Sequence, residues 1–171
     1  MRKEVEVVRV GPDAWERVRD TRLAAVRDTP DAFGMTLDAE LAKVEDDWRA
    51  WIDHPGRAFL LAELVPDAEP RPTAAGMTVV SPAPAGPGVA GVYAVWVAPW
   101  ARGHGVGDAL LRSALQAARD LGNHRAVLDV GDHNDAAQRL YRRNAFTATG
   151  ATDSLPPPRT HVTEHELAVD L

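Results

Sequence analysis

Hydrophobic positions along the chain fall into two patterns, short β-branched runs and longer segments with a helical period. Runs typical of strands cover residues 5–10, 58–64, 74–81, 89–97, 126–130, 146–149 and 163–169. Helical periodicity covers residues 13–28, 36–52 (in one piece or two), 106–121 and 135–143. Asp13 and Glu16 have the spacing of a capping box for the first helix. This order predicts an α/β (α+β) fold, with a central mixed, mostly antiparallel sheet flanked by helices.

Composition restricts the classes of protein to which the chain belongs. Its 171 residues are enough for one domain, which we expect to span residues 1–171. The net charge of −6 argues against nucleic-acid binding and is mildly favourable for cationic substrates. The chain has no cysteine, and its histidines lack metal-ligand spacing, so we expect no metal site. It shows neither a signal-peptide pattern nor a membrane-length apolar run. We therefore expect a cytoplasmic protein, with no membrane partner, as a monomer or homodimer.

A glycine-rich loop separates the predicted strand 89–97 from the predicted helix 106–121. Three alternate glycines, Gly103, Gly105 and Gly107, follow Arg102. A strand, a glycine turn and a helix start together present backbone N–H groups to a phosphate. No Gly-Lys-Ser/Thr follows, and Asp108 stands where a dinucleotide fingerprint needs its third glycine. The loop therefore predicts a phosphate site of another kind, or a connection that binds nothing.

Two motifs carry a resemblance to a known family. Arg102, Gly105 and Gly107 form Arg-x-x-Gly-x-Gly, which resembles the pyrophosphate loop of the GNAT superfamily of acetyl-CoA-dependent N-acetyltransferases. The second motif of that family is Asn-x-x-Ala-x-x-Leu-Tyr, followed by Gly-Phe. Its counterparts here are Asn134, Ala137, Leu140, Tyr141 and Phe146. The sequence departs from the family at Ala145, where glycine is usual. Either alanine strains that turn or Asn144 takes the left-handed conformation.

The resemblance implies acetyl-CoA as co-substrate, held by pyrophosphate contacts from the loop and pantetheine contacts from the strand before it. Tyr141 is the implied general acid, with a core tyrosine as the structural alternative. No carboxylate occupies the family's usual base position on the strand, so Asp129, Asp132, His133 and a bound water remain alternatives. The implied cofactor-binding residues are Trp96, Val97, Arg102, Gly103, His104, Gly105, Val106, Gly107, Asn134 and Arg143.

The acceptor is expected to be a primary amine of a small molecule or a protein. Phe33, Trp48 and Trp51, with carboxylates between residues 38 and 46, suit a cation with an apolar body, although such carboxylates are more often a solvated helix face. Arg159 after the prolines at 156–158 is a candidate for pairing with an acceptor carboxylate. Two other classes remain open. One is a non-catalytic acyl-CoA-binding or regulatory domain of the same fold, and the other is an interaction module.

Overall fold

The computed structural model describes residues 3–67 and 69–171, and within them seven strands form one mixed sheet in the order β1-β2-β3-β4-β5-β7-β6. Met1 and Arg2, in the segment without a signal-peptide pattern, and Ala68, in a predicted loop, lie outside the described residues. Of the described strand pairs, only β4 and β5 run in parallel, and the others are antiparallel. The strands are β1 (Glu4–Val10), β2 (Ala58–Val65), β3 (Gly76–Pro82), β4 (Val89–Val97), β5 (Arg125–Gly131), β6 (Thr147–Ser154) and β7 (Thr163–Asp170).

In the part of the chain that the structure describes, five α-helices accompany the sheet, and they confirm the predicted fold class. The region 36–52 is divided into two helices, as one of the two expected arrangements had it. The predicted capping box at Asp13 is wrong, because Pro12–Ala14 form a 3₁₀ turn and the first helix begins after it without a side-chain cap. The helices are α1 (Trp15–Asp28), α2 (Leu37–Leu41), α3 (Glu45–Ile52), α4 (Val106–Asp120) and α5 (Asp135–Arg143).

Helix α4 supplies much of the core because its apolar stripe packs along the sheet. It contacts β1, β2, β3, β4 and β5. Leu110 and Leu111 are fully buried, and Leu110 lies so close to Gly76 that a Cβ there would sit 2.9 Å from its side chain. A larger residue at position 76 would push helix and sheet apart. The strand β3 and the helix that follows the glycine loop are thereby held in close contact.

The parallel pair β4 and β5 stays together for only three residues. Val89, Ala90 and Gly91 pair with residues 125–127, and from Val92 onward β4 has no partner on that side. On its other side β4 remains paired with β3 up to Val97. The two strands therefore form a fork whose arms are the second half of β4 and the second half of β5.

Candidate active site

A cavity of about 680 Å³ opens at the fork between β4 and β5. Its walls come from elements far apart in sequence. Residues 92–95 of β4 and 129–131 of β5 form the arms of the fork, and Asn134 and Tyr141 reach it from α5 and the preceding loop. Phe33 and Trp51 close it from the helical region. A cavity of this size, in which aromatic rings and charged groups converge, is typical of a small-molecule site.

A β-bulge places strained backbone at the mouth of the fork. Pairing between β3 and β4 shifts between Met77 and Val79, so that β4 carries an additional residue there. Ala94 has a φ of 53°, and the Thr78 hydroxyl donates to the carbonyl oxygen of Tyr93 at 3.0 Å. Backbone in the left-handed region at a non-glycine residue is held only by surrounding structure and is frequent at functional sites.

The glycine loop presents backbone donors without acceptors at the start of α4. Gly103 and Gly105 have φ values of 80° and 79°, which favour glycine. Within the described part of the chain, the N–H groups of residues 103–107 find no acceptor. A Cβ on Gly103 or Gly105 would meet no atom within 4 Å, so open space lies beside both. Free N–H groups, the helix dipole and this space together suit an anion.

His104 and Val106 contribute to this loop in different ways. The His104 ring is exposed, and its Nδ1 lies 3.2 and 3.0 Å from the carbonyl oxygens of Ala101 and Arg102. Val106 is 1% exposed and packs into the core. It can therefore contribute only its backbone N–H to a ligand.

Arg102 turns its guanidinium toward α1 instead of toward the loop. One terminal nitrogen pairs with the Asp28 carboxylate, and Nε donates to the carbonyl oxygen of Val97 at 3.2 Å. The same Asp28 oxygen accepts the indole N–H of Trp96 at 2.9 Å. Asp28 therefore connects the end of α1, the end of β4 and the glycine loop.

Arg143 neutralises the carboxylate that stands in the first turn of α4. Its Nε and Nη2 each lie 2.8 Å from an oxygen of Asp108, and Asn144 Nδ2 donates to the same carboxylate at 2.8 Å. The hydrogen bond from Arg143 is the main reason that the pKa of Asp108 lies below its usual range. The negative charge at Asp108, unfavourable beside a phosphate, is thus offset by its own partner.

Tyr141 and Asn134 occupy the cavity from the α5 side. Tyr141 is 6% exposed, and its ring packs edge-on against Phe146 with centroids 6.0 Å apart. Burial raises the pKa of Tyr141, so the phenol keeps its proton at neutral pH. The Asn134 side chain accepts from the N–H of Ala137 at 3.1 Å and caps α5. Its amide nitrogen is left available to the cavity.

Two carboxylates line the β5 and β7 side of the cavity, Asp129 and Glu164. Partial burial, followed by the charges of Glu166 and Asp153, raises the pKa of Asp129. Partial burial, followed by Asp129, likewise raises the pKa of Glu164. Asp129 was one of the bases that the sequence left open. Glu164 had no sequence signal, because only the pairing of β7 with β5 brings it to the cavity.

The remaining base candidates differ in position. His133 lines the cavity, with its ring over Gly131, where a Cβ would lie 2.7 Å from the imidazole. Asp132 is exposed and is absent from the residues that line the cavity within the described chain. Asp129 and His133 thus fit the position of a base better than Asp132 does.

The expected acceptor residues divide between the cavity and the core. Phe33 lines the cavity, whereas Trp48 is 1% exposed and packs edge-on against Trp51, which lines the cavity in its place. Arg159 is buried and donates to the backbone carbonyl oxygens of Pro30 and Phe33, and to that of Gly34 at 3.0 Å. These contacts anchor the segment that carries Phe33 and leave Arg159 off the cavity wall.

Comparison with known families identifies the chain. The model of the acetyltransferase (GNAT) family matches residues 22–146, which includes β2 to α5 and therefore both arms of the fork. The protein belongs to the GNAT family. Its glycine loop, its fork and Tyr141 all fall inside the matched residues.

Curated relatives of this GNAT domain are longer proteins. Over 106 residues it is 39% identical to mycothiol acetyltransferase of Pseudarthrobacter chlorophenolicus, covering 61% of this chain and 30% of that protein. Over 98 residues it is 39% identical to mycothiol acetyltransferase of Arthrobacter sp. (strain FB24), covering 57% of this chain and 29% of that protein. The aligned part of the chain thus spans about a third of the length of these relatives.

Solved structures confirm the fold over nearly the whole GNAT domain. An acetyltransferase of the GNAT family from Streptococcus pneumoniae has a TM-score of 0.76 at 16% identity, covering 98% of this chain and 99% of that one. The structure of yncA from Salmonella typhimurium with its cofactor acetyl-CoA has a TM-score of 0.76 at 19% identity, covering 98% and 94%. At these identities the likeness concerns the fold alone.

Membrane-spanning helices and metal clusters are both absent from residues 3–67 and 69–171 of the GNAT domain. None of the helices there combines the length and apolar character that a bilayer crossing requires. Within the same residues, three or more His, Asp or Glu side chains nowhere come together as a metal site would need.

Proposed function

We propose that the protein is an N-acetyltransferase that transfers the acetyl group of acetyl-CoA directly to a primary amine. Family membership supports acyl transfer as the reaction class. The observation that carries the proposal is the fork between β4 and β5, which opens onto a cavity lined by Tyr141 and Asp129. A proton donor and a proton acceptor thus share one space beside an open strand edge.

The loop and the open strand edge are suited to hold acetyl-CoA. The N–H groups of residues 103–107 would bind the pyrophosphate, with Arg143 and Arg102 as nearby charges. The β4 edge at Trp96 and Val97, together with Asn134, would bind the pantetheine arm. Acetyl-CoA supplies a thioester carbonyl, and an N–H of the bulged β4 segment is placed to donate to its oxygen.

Tyr141 and Asp129 have complementary roles in this reaction. Asp129 accepts the proton that the amine must lose, and its raised pKa makes it a stronger base than an ordinary aspartate. The amine nitrogen bonds to the acetyl carbon, and the bond from that carbon to sulfur breaks. Tyr141, which remains protonated, donates its proton to the departing thiolate. The products are the N-acetylated amine and free CoA.

Two measurements test the proposal together. Isothermal titration calorimetry with acetyl-CoA should show binding, and a thiol-release assay over a panel of primary amines should show turnover with at least one of them. Binding without release of thiol by any amine would indicate the non-catalytic acyl-CoA-binding domain instead. Absence of binding would leave only an interaction module.

A further inference from the structure

Arg22 carries a buried guanidinium group, and one of its hydrogen-bond donors is unused. Its side chain is 7% exposed, and it lines the cavity. Nε donates to Glu40 Oε1 at 2.8 Å, and Nη2 lies 2.8 Å from the same oxygen. Among the described residues, Nη1 has no hydrogen-bond partner. It is nevertheless accessible to solvent and is not enclosed in the core. An unpaired donor in so buried a side chain points to a ligand in the cavity.

Aromatic rings fix the orientation of this group. The Arg22 guanidinium carbon lies 4.5 Å from the centroid of Phe33 and 5.5 Å from that of Trp51. The rings hold the guanidinium in place while its Nη1 donor remains available, and a guanidinium donor is suited to recognise a carboxylate. Burial lowers the pKa of Arg22, yet an arginine at neutral pH still carries its charge.

Among the described residues, the helical side of the cavity carries more cationic than anionic groups. Arg22, Lys43 and Arg57 line it, with the carboxylates of Glu40 and Asp31. The charge of Glu40 is offset by its neighbours, because one oxygen binds Arg22 and the other lies 2.6 Å from Lys43 Nζ. Of the described carboxylates between residues 38 and 46, Glu40 alone lines the cavity, so the expected acidic groove for a cation is not formed there.

The part of the wall formed by β5 and β7 has the reverse charge. Asp129 and Glu164 line it from neighbouring strands, and β5 and β7 pair so that Gly131 lies across from Glu164. A ligand in the cavity can therefore meet carboxylates from the fork and a guanidinium from the helices. Apolar groups that include Phe33, Val92 and Trp51 line the same cavity.

We infer that the acceptor is an amino acid with an apolar side chain, or a closely related aminocarboxylate, whose carboxylate binds Arg22. Its amino group then lies toward Asp129 and Glu164, where the acetyl group would be delivered. This inference rests on the proposed N-acetyltransferase function and adds the class of acceptor to it. Arg22 is a specificity-determining residue in this arrangement, and it takes no part in proton transfer.

The experiment compares amino acids with their amides as acceptors. L-Leucine, L-methionine and L-phenylalanine are each assayed for thiol release beside the matching amide, which keeps the amine and side chain but lacks the carboxylate. We expect kcat/KM for the acids to exceed that for the amides by about 10- to 100-fold, the range expected when a charged hydrogen-bonding partner is removed. Equal or better turnover of the amides would overturn the inference while leaving acetyl transfer established.

A variant then tests Arg22 itself. Arg22→Lys retains a cation for Glu40 and removes Nη1, so KM for the acids should rise about tenfold or more, with KM for the amides and the affinity for acetyl-CoA unchanged. The control is Arg17→Lys on the same helix, which pairs with Glu63 at 2.7 Å and does not line the cavity within the described chain. An unchanged preference for acids in folded Arg22→Lys would exclude Arg22 as the carboxylate partner.

Failure of acetyl transfer would be distinguishable from failure of this inference. If no acceptor releases thiol, the CoA-loaded protein is titrated calorimetrically with L-phenylalanine and with L-phenylalaninamide. Binding of the acid alone would support the carboxylate site without the enzyme activity. Equal binding of both, or binding of neither, would overturn it.

Discussion

Tyr141 and Asp129 reach the same cavity from different elements, and Tyr141 is the more deeply buried of the two. Partial or full burial raises the pKa of each group, but the consequences differ. The phenol is held in its neutral form, in which it can donate a proton. The raised pKa of the carboxyl increases its affinity for a proton. The same physical cause thus produces a donor and an acceptor.

Tyr141→Phe removes the phenol and keeps the ring that packs against Phe146. If the phenol is the general acid, turnover should fall on the order of 10²-fold while acetyl-CoA affinity is unchanged. Calorimetry and steady-state kinetics on the same preparation measure both quantities. A tyrosine with only a core role would instead give a normal rate and a lower Tm.

Asp129→Asn should lower activity and raise stability at neutral pH. Because the pKa of Asp129 is raised in the folded protein, the unfolded chain ionises this carboxyl more easily, and ionisation opposes folding. This destabilisation of the folded protein is absent below about pH 4, the usual pKa of aspartate. It develops as pH rises through the raised pKa of Asp129 in the folded protein. Thermal melts should therefore show a higher Tm for the variant at about pH 7 and no difference near pH 4.

The exposed neighbour Asp132 supplies the control for Asp129. Asp132→Asn should change neither the rate nor the Tm appreciably. Loss of the general base should lower activity on the order of 10²-fold or more. If Asp132→Asn lowered activity as much as Asp129→Asn, the general base would be assigned to the loop after β5 and not to β5 itself.

At the scale of elements, the helix α4 and the loop before it form one unit. Gly105 is the N-cap of α4 in the left-handed conformation, and Leu140 of α5 packs on Gly107 so closely that a Cβ would lie 3.0 Å from it. The pairing of Asp108 with Arg143 joins the same two helices from outside. The position of the N–H groups therefore depends on α5 as well as on the loop.

Gly105→Val should weaken acetyl-CoA binding by at least about tenfold, equivalent to ~1.4 kcal/mol, because the side chain would fill the space beside the free N–H groups. Gly122→Val is a matched control. Gly122 also has a positive φ, and a Cβ there would meet no atom within 4 Å, but it follows the far end of α4. Calorimetry on both variants separates backbone strain from ligand contact. Equal affinities in the two would contradict the assignment of the loop.

The type of each helix and strand could be predicted closely from the local sequence. The bounds of β4 and α5 were predicted to the residue, because a proline and a capping asparagine mark their ends. The end of α1 at Asp28 was likewise set by Pro30. Ala145 has a φ of 69°, so alanine takes the strained turn and Asn144 does not, one of the two expected outcomes.

The cavity was less predictable, because its lining depends on pairing between distant strands. Glu164 reaches it through β7, and Arg102 turns to Asp28 from 74 residues away in the sequence. Arg22 lies on a helix whose pattern indicates only an amphipathic segment, and its free donor appears only once Glu40 is placed beside it. Charge balance on a cavity wall is a property of the folded chain and has no local signature.

Over the whole molecule, the C-terminal segment is connected to the first helices by Arg159. Its guanidinium donates to the backbone carbonyl oxygens of Pro30, Phe33 and Gly34, which belong to the segment between α1 and α2. The arginine therefore fixes Phe33 relative to β6 and β7, although it does not itself line the cavity. Leu155, at the end of β6, does line the cavity.

Arg159→Ala should lower the free energy of unfolding by roughly 1–3 kcal/mol, because it leaves the buried carbonyl oxygen of Phe33 unpaired and removes the part-buried bonds to Pro30 and Gly34. We also expect a higher KM for the acceptor, with acetyl-CoA affinity spared, since the displaced segment carries Phe33. Chemical denaturation and kinetics measure the two effects. Arg139→Ala, on the exposed side of α5, is the control. A changed acceptor KM at full stability would indicate direct contact between Arg159 and the acceptor.

If the pyrophosphate of acetyl-CoA recruits Arg102, cofactor binding becomes a competition within the molecule. Asp28 is a resident anion that such a ligand would have to displace. When Arg102 leaves, Asp28 still accepts from the Trp96 indole, so the carboxylate is not left without a partner. The hydrogen bond from Arg102 to Asp28 would then be exchanged for one to the ligand, which limits the gain in affinity that the arginine can supply. A substitution at Asp28 would in that case change the concentration of acetyl-CoA needed for half-saturation without any change in the glycine loop.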